Sequence, residues 1–272
     1  MDKAKVLKRS KNLAKIKGII VIAKFYTIQK LAKSDKTRNH HYKIAETTKD
    51  ILGFSQNQYR ISTRISKKIK EKIKHKKIWL FITVPSILIK TSHKKLENIL
   101  MNGFDIENDK IIVVGAPGIK FVKSNNLDIY AEFEHFNESS ENVIGLINNI
   151  IINSLFDSVM IVSNTPKMKT EAYQLFPIEH NEQIKKDLNK MRFYYSLPET
   201  IVNITNTYVS NIIEGIYNES KIFFYKEKLI KYEGSIKNID KKILFLKLEL
   251  NKLNRKIETE EMILVKQIAK RA

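Results

Sequence analysis

Glu132, Glu134 and His135 are the nearest the sequence comes to a catalytic constellation. Two carboxylates and an imidazole at that spacing would serve general acid–base chemistry if they converged on one substrate. They follow a strand-like run at alternating positions, which places their charges on a solvent face instead. Gly115-Ala116-Pro117-Gly118 comes directly after the apolar run Ile111–Val114 and invites a phosphate-cradle reading. It has neither the GxGxxG spacing nor a Gly-Lys-Ser/Thr ending, and Pro117 withdraws a backbone N–H that a phosphate would use. We read it as a strand-to-helix turn. The histidines His40, His41, His75, His93, His135 and His180 include no i, i+4 pair with an acidic neighbour, so metal-ligand spacing is absent. There is no cysteine and no nucleophile elbow. The residues therefore point to a chain that binds no cofactor or metal and is not by itself an enzyme.

Charge is the next strongest signal. The 272 residues carry 49 Lys+Arg against 29 Asp+Glu, a formal net charge of +20. Arginine is scarce, and the heavy use of Lys, Ile and Asn has the look of an AT-rich coding sequence, so part of the basicity is drift. The remainder calls for an acidic partner: nucleic acid, anionic lipid or an acidic protein surface. Lys67, Lys68, Lys70, Lys72, Lys74, Lys76 and Lys77 form the densest basic run. It has no interleaved aromatic for base stacking, and it reads as a solvated linker, with nucleic-acid contact as the alternative. A hydrophobic content of 43 % is enough for a true core. No apolar run approaches the ~18 residues of a membrane span, and Met1 to Lys17 is basic without a secretory apolar core.

Five prolines punctuate the chain, at Pro85, Pro117, Pro166, Pro177 and Pro198, and both flanks lack them. Near the C-terminus, Ile222, Leu229, Ile236, Ile243, Leu250, Ile257 and Leu264 recur every seventh residue, with Tyr225, Tyr232, Ile239, Leu246, Leu253, Glu260 and Gln267 three places on. A strict heptad keeps one apolar seam on a partner helix. We take Ile236, Ile239, Ile243, Leu246, Leu250, Leu253 and Ile257 as that seam. At the other end, Leu13, Ile16, Ile20, Ala23, Thr27 and Leu31 recur at three- and four-residue spacing, predicting a helix over about residues 3–57. The two helices can pair with each other as a long antiparallel coiled coil, or each can homodimerise. Between them the pattern alternates: strands at Lys77–Val84, Ile111–Val114, Asp128–Phe133, Ser158–Ser163 and Glu171–Phe176, and helices at Ser92–Met101, Gly118 to about Lys123 and Glu141–Leu155. Asn137–Asn142 and Glu179–Lys190 read as polar connections. The expected fold is thus α/β: a small open, Rossmann-like sheet domain inserted between coiled-coil helices. The domain boundaries follow: an N-terminal helix and basic linker over 1–76, the α/β domain over 77–178, a linker over 179–197 and the C-terminal helix over 198–272.

Several stretches, in this order and at this spacing, resemble one family. They are Lys30-Leu31-Ala32-Lys33, Ala45-Glu46-Thr47 through Ile51-Leu52-Gly53, and Lys110–Lys120 into Asp128–Phe133. They continue with Phe156-Asp157-Ser158-Val159, then Tyr195, Pro198 and Glu199, and finally Asn251-Lys252 with Thr259 and Glu261. The chain is similar to the gamma subunit of F-type ATP synthases, the central rotor shaft. It departs from the family's pattern in three places. Pro85 to Thr91 reads PSILIKT where the family has a Gly-Leu-Cys-Gly loop. Asn254-Arg255 stands where the family has Arg-Gln, so the arginine is shifted by one place. Phe223, Phe224, Tyr225 and Lys226 replace an Ala-rich stretch. These departures mark a diverged, F-type-like member.

The resemblance implies a non-catalytic stalk that couples ATP turnover in a surrounding catalytic hexamer to rotation, in an ATP-driven motor or in ATP synthesis. It implies alpha- and beta-type ATPase subunits as partners, three of each, with an epsilon-like subunit and a membrane ring as further ones. ATP and Mg would sit in those partners, none in this chain, and no nucleic acid would be bound. The implied location is cytoplasmic, peripheral to the inner face of the cell membrane. Diverged F-type assemblies of this kind also serve surface machinery such as gliding. Lys30, Lys33, Asn254, Arg255, Thr259 and Glu261 are the implied rotor–stator contacts. The alternative that charge alone supports is a basic coiled coil that binds nucleic acid.

Overall fold

The computed structural model describes residues 3–59, 77–84, 90–153, 155–164, 170–178 and 197–269. Their elements are α1 (Lys3–Tyr59), β1 (Lys77–Ile82), α2 (Lys90–Gly103), β2 (Lys110–Val114), α3 (Ala116–Ser124), β3 (Ile129–Phe133), α4 (Phe136–Ile152), β4 (Ser158–Asn164), β5 (Thr170–Phe176) and α5 (Leu197–Ala269). The expected architecture is the observed one: long terminal helices flank a five-stranded sheet. The basic run from Lys67 to Lys76, the connection from Glu179 to Lys190, and Tyr195 lie outside the described residues.

The chain divides into two compact units, Met1–Lys30 with Tyr225–Ala272, and Leu31–Phe224. We call them the helical unit and the sheet unit. The division falls inside both long helices, whereas the expected boundaries fell at the helix-to-sheet junctions.

In the sheet unit the strand order is β3-β2-β1-β4-β5. The first four are mutually parallel, and β5 returns antiparallel to β4. Side chains alternate between two cores, as the period of two demands. Ile78, Leu80 and Ile82 of β1, with Ile112 and Val114 of β2, face a core completed by Val143, Ile147 and Ile150 of α4. Ala45 and Leu52 of α1, and Val209, Ile213 and Ile216 of α5, close the same core. Trp79, Phe81, Ile111 and Val113 face the opposite core, under Leu96 and Leu100 of α2 and Val122 of α3. Helices on both faces explain why β1 reads as a continuous apolar run rather than an alternating one.

Two polar devices fix the sheet's ends. The buried Asp109 carboxylate accepts the Lys77 N–H at 2.9 Å, the Trp79 Nε1–H at 2.8 Å and the Asp105 N–H at 3.1 Å, tying the starts of β1 and β2 together. At the other end, the Thr83 hydroxyl donates to the Val114 carbonyl at 2.9 Å and accepts the Gly118 N–H at 3.1 Å. Gly115 has φ +102°, and a Cβ there would lie 2.2 Å from the Thr83 carbonyl oxygen, so only glycine can make this turn.

One expectation is corrected. Asn137–Asn142 is not a connection but the first turns of α4, which begins at Phe136 rather than Glu141. Phe136 is buried and its ring stacks on that of Tyr217 at 4.0 Å, an anchor that overrides the local polarity.

Candidate functional surface

The positions where an open parallel sheet usually takes a ligand lie beyond the carboxyl ends of the strands, where the order reverses. Here that point is between β1 and β4. The polar groups there serve the fold. Thr83 holds the turn at Gly118, as described, and the Ser163 hydroxyl lies 3.5 Å from the Tyr173 hydroxyl. Gly115–Gly118 is thus a strand-to-helix turn whose second glycine N–H is committed to Thr83. Glu132 pairs with Lys123 at 2.8 Å on the surface, and Glu134 and His135 are exposed. All three are exposed. Among the described residues no group of three His, Cys, Asp or Glu could hold a metal. Nor is any described helix long and apolar enough to cross a membrane.

The helical unit is where unusual surface accumulates. Its two segments run antiparallel: Lys17 pairs with Asp240 at 2.7 Å and Lys24 with Glu233 at 2.9 Å. Seven residues forward on α1 match seven back on α5, the step of a heptad seam. The Lys24 ammonium, hydrogen-bonded to Glu233, holds that carboxyl below its ordinary range. On α1 the covered positions are Val6 and Thr27, fully buried, with Leu13, Ile20 and Ala23 half-buried. On α5 the expected seam residues Ile239 and Leu246 are buried, and Ile236, Ile243, Leu250 and Leu253 are half-buried. Ile257 is 39 % exposed. Beyond Asn254 every described residue of α5 is exposed.

The expected contact residues distribute accordingly. Lys30 stands exposed at the end of the α1 segment of this unit, and Lys33 is exposed in the sheet unit. Arg255, Thr259 and Glu261 are exposed on the last turns of α5. The Thr259 hydroxyl donates back to the Arg255 carbonyl at 2.7 Å, so its lone pairs, not its proton, face outward. Asn254 is half-buried, and its Oδ1 lacks a hydrogen-bond partner among the described residues. Glu261 borders a shallow depression with Glu258, Met262, Val265 and Lys266.

Sequence reasoning missed the largest feature. Ile19, Val21, Ile22, Phe25, Tyr26 and Ile28 of α1 are 45–67 % exposed, as are Met262, Leu264, Val265 and Ile268 of α5 at 57–68 %. From Gly18 to Gln29 the one charged residue, Lys24, is spent on Glu233. A helix segment this apolar on several faces belongs to an interface. The signal was legible: the unbroken run Gly18–Ala23 contains no polar residue, more than a single seam requires.

No known protein-family profile matches the chain. An uncharacterized protein of Ureaplasma parvum serovar 3, UU050, is 22 % identical over 202 residues, covering 69 % of this chain and 66 % of the relative. The ATP synthase gamma chain of Persephonella marina is 24 % identical over 190 residues, covering 65 % of this chain and 64 % of the relative. The matches thus span just under two thirds of each relative's length. In three dimensions, a chain of the Euglena gracilis mitochondrial ATP synthase rotor superposes with a TM-score of 0.55 at 13 % identity, covering 94 % of this chain and 98 % of that one. A shared fold over nearly the whole length and a sequence match to a gamma chain agree, and the chain is a gamma-subunit-like protein.

Proposed function

We propose that the chain is the non-catalytic central stalk of a rotary, F-type-like ATPase, turning within alpha- and beta-type subunits, three of each, that hold the ATP and Mg. The observation that carries this reading is the exposed apolar surface of the helical unit, above all Met262, Leu264, Val265 and Ile268 past the end of the paired seam. A free helix would not keep such residues in water; a sleeve of surrounding subunits would cover them. The similarity to a gamma chain and the rotor fold support the same assignment. Lys30, Lys33, Asn254, Arg255, Thr259 and Glu261 are proposed as contacts to the hexamer. The net charge of +20 suits acidic segments on those subunits, which give long-ranged contacts that do not lock at one angle. The stalk's part in catalysis is allosteric: its asymmetric face presents each nucleotide site with a different surface as it turns. We assign the complex to the ATP-driven direction, because the sequence has lost the family's Gly-Leu-Cys-Gly loop, and place it at the inner face of the cell membrane.

Affinity purification of the tagged chain from its host, with mass spectrometry and an ATPase assay, tests this. Two related P-loop subunits in threefold excess, with ATPase activity, are expected. An epsilon-like subunit and ring subunits in the same sample would mark an ion-coupled synthase and overturn the assigned direction. Deletion of residues 258–272 should weaken assembly or torque, and unchanged rotation would remove Thr259 and Glu261 from the contact. Recovery of the chain alone, or with nucleic acid and no ATPase, would sink the stalk assignment in favour of a basic coiled coil that binds nucleic acid.

A further inference from the structure

Asn102 and Gly103 are the last two residues of α2, and theirs is the one Asn-Gly step in the 272 residues. Both are exposed, whereas Phe104, directly after them, is buried. An asparagine amide is open to attack by the main-chain nitrogen of the residue that follows it. The side chain of that following residue stands in the path of the nitrogen as it swings towards the amide carbon. Glycine has none, and it leaves the main chain the widest choice of φ and ψ for the approach.

The fold keeps glycine at this position. A Cβ on Gly103 would lie 2.7 Å from Trp79 Cη2 and 3.2 Å from Cζ2. The indole has little room to yield: Trp79 is 2 % exposed, and Asp109 holds its Nε1–H at 2.8 Å. Trp79 therefore requires at position 103 the residue that shields Asn102 least. For the attack the Gly103 nitrogen must leave its helical position, so the last turn of α2 opens first. A terminal turn is the part of a helix that opens at least cost. What closes this one is the Phe104 N–H on the Leu100 carbonyl at 2.9 Å and the buried Phe104 ring, 6.5 Å from that of Trp79. The Asn102 side chain itself has no hydrogen-bond partner among the described residues.

We propose that Asn102–Gly103 is a site of spontaneous deamidation and isomerisation, and that the change loosens the Trp79 side of the sheet unit. The Gly103 nitrogen gives its proton to solvent base and bonds to Asn102 Cγ. The Cγ–Nδ2 bond breaks, ammonia leaves and a cyclic imide closes. Water then opens the imide. Cleavage between the Gly103 nitrogen and Cγ leaves an ordinary aspartate. Cleavage between that nitrogen and the main-chain carbonyl carbon leaves an isoaspartate, whose main chain runs through Cβ and Cγ. In sum a water is taken up and an ammonia released. Both products put a carboxylate at the C-terminal end of α2, the wrong sign for the helix dipole. Isoaspartate also inserts a methylene into the main chain directly before Gly103. That draws Gly103 off the indole and displaces the Asp105 N–H from the Asp109 carboxylate, 3.1 Å away. The reaction proceeds whether or not the chain turns inside a ring.

Incubation of the full chain at mildly alkaline pH, sampled by peptide mapping with mass spectrometry and isoaspartate-specific methylation, tests the site. Asn102 is expected to lose its amide before any other asparagine of the chain. Its loss should be about tenfold faster for each unit of pH, because the attacking species is the amide anion. Chains with isoaspartate at this position should unfold at lower denaturant, with the folded-state Trp79 emission shifted towards that of exposed indole. Asn102→Gln, whose longer side chain would have to close a larger ring, should keep its amide and its original unfolding curve through the same incubation. Persistence of Asn102 in the folded chain, under conditions where the guanidinium-unfolded chain converts it, overturns the proposal. So does conversion that leaves the unfolding midpoint and Trp79 emission unchanged, or an equal loss of stability in Asn102→Gln.

Discussion

In the sheet unit no residue of β1 from Ile78 to Ile82 shows more than 2 % of its surface, whereas in the helical unit Ile19, Phe25, Tyr26 and Val265 are each more than half exposed. The two units are built from similar proportions of apolar side chains but use them differently. The sheet unit has two faces, each covered by helices of its own, so its burial is complete within the chain. The helical unit has one seam. Two helices can cover one stripe each, and every apolar residue off that stripe must find its cover elsewhere. Stability is therefore a property of the sheet unit, and incompleteness is a property of the helical unit.

Substitutions can break this contrast or sharpen it. Leu80→Ala, at the centre of the sheet between two covered faces, should cost about 3–5 kcal/mol in denaturant unfolding, because the cavity cannot collapse. Leu246→Ala removes a buried seam residue that borders solvent, and should cost about 2 kcal/mol, near the bottom of the range for such truncations. Equal losses at Leu80 and Leu246 would mean the seam is as much a core as the sheet. Phe25→Ser should change the stability of the isolated chain by less than about 0.5 kcal/mol, since the ring is 58 % exposed. The same change should weaken recovery of the partner subunits in the purification described above. A large loss of stability from Phe25→Ser in the isolated chain would show that the helical unit covers this face itself.

Most of the sheet unit was legible because its signals are local and repeat. The run Lys77–Val84 was read as one strand and forms one to Ile82, and Ser158–Ser163 is extended by one residue. The start of α4 was not legible, because what sets it is the stacking of Phe136 on Tyr217, a pairing across 81 positions with no periodic trace. The same holds for Tyr42, an ordinary helix residue in the sequence whose ring lies where Gly215 leaves room for it, 173 positions away. In the helical unit the period of seven coincides with burial at Ile239 and Leu246 and no longer does at Ile257. The extra apolar residues from Gly18 to Ala23 were visible but were absorbed into a helix that was assumed to bury them.

The sole tryptophan of the chain, Trp79, is held in the sheet unit, its indole N–H on Asp109 and its ring against Gly103, where a Cβ would come within 2.7 Å of it. The molecule thus carries a fluorophore that reports on one of its halves alone. Tryptophan emission follows the melting of the sheet unit and is blind to the helical one, while far-ultraviolet ellipticity sums over α1 and α5, which have residues in both units. Where the two optical transitions coincide, the halves unfold as one cooperative body; where ellipticity is lost first, the paired helices come apart ahead of the sheet.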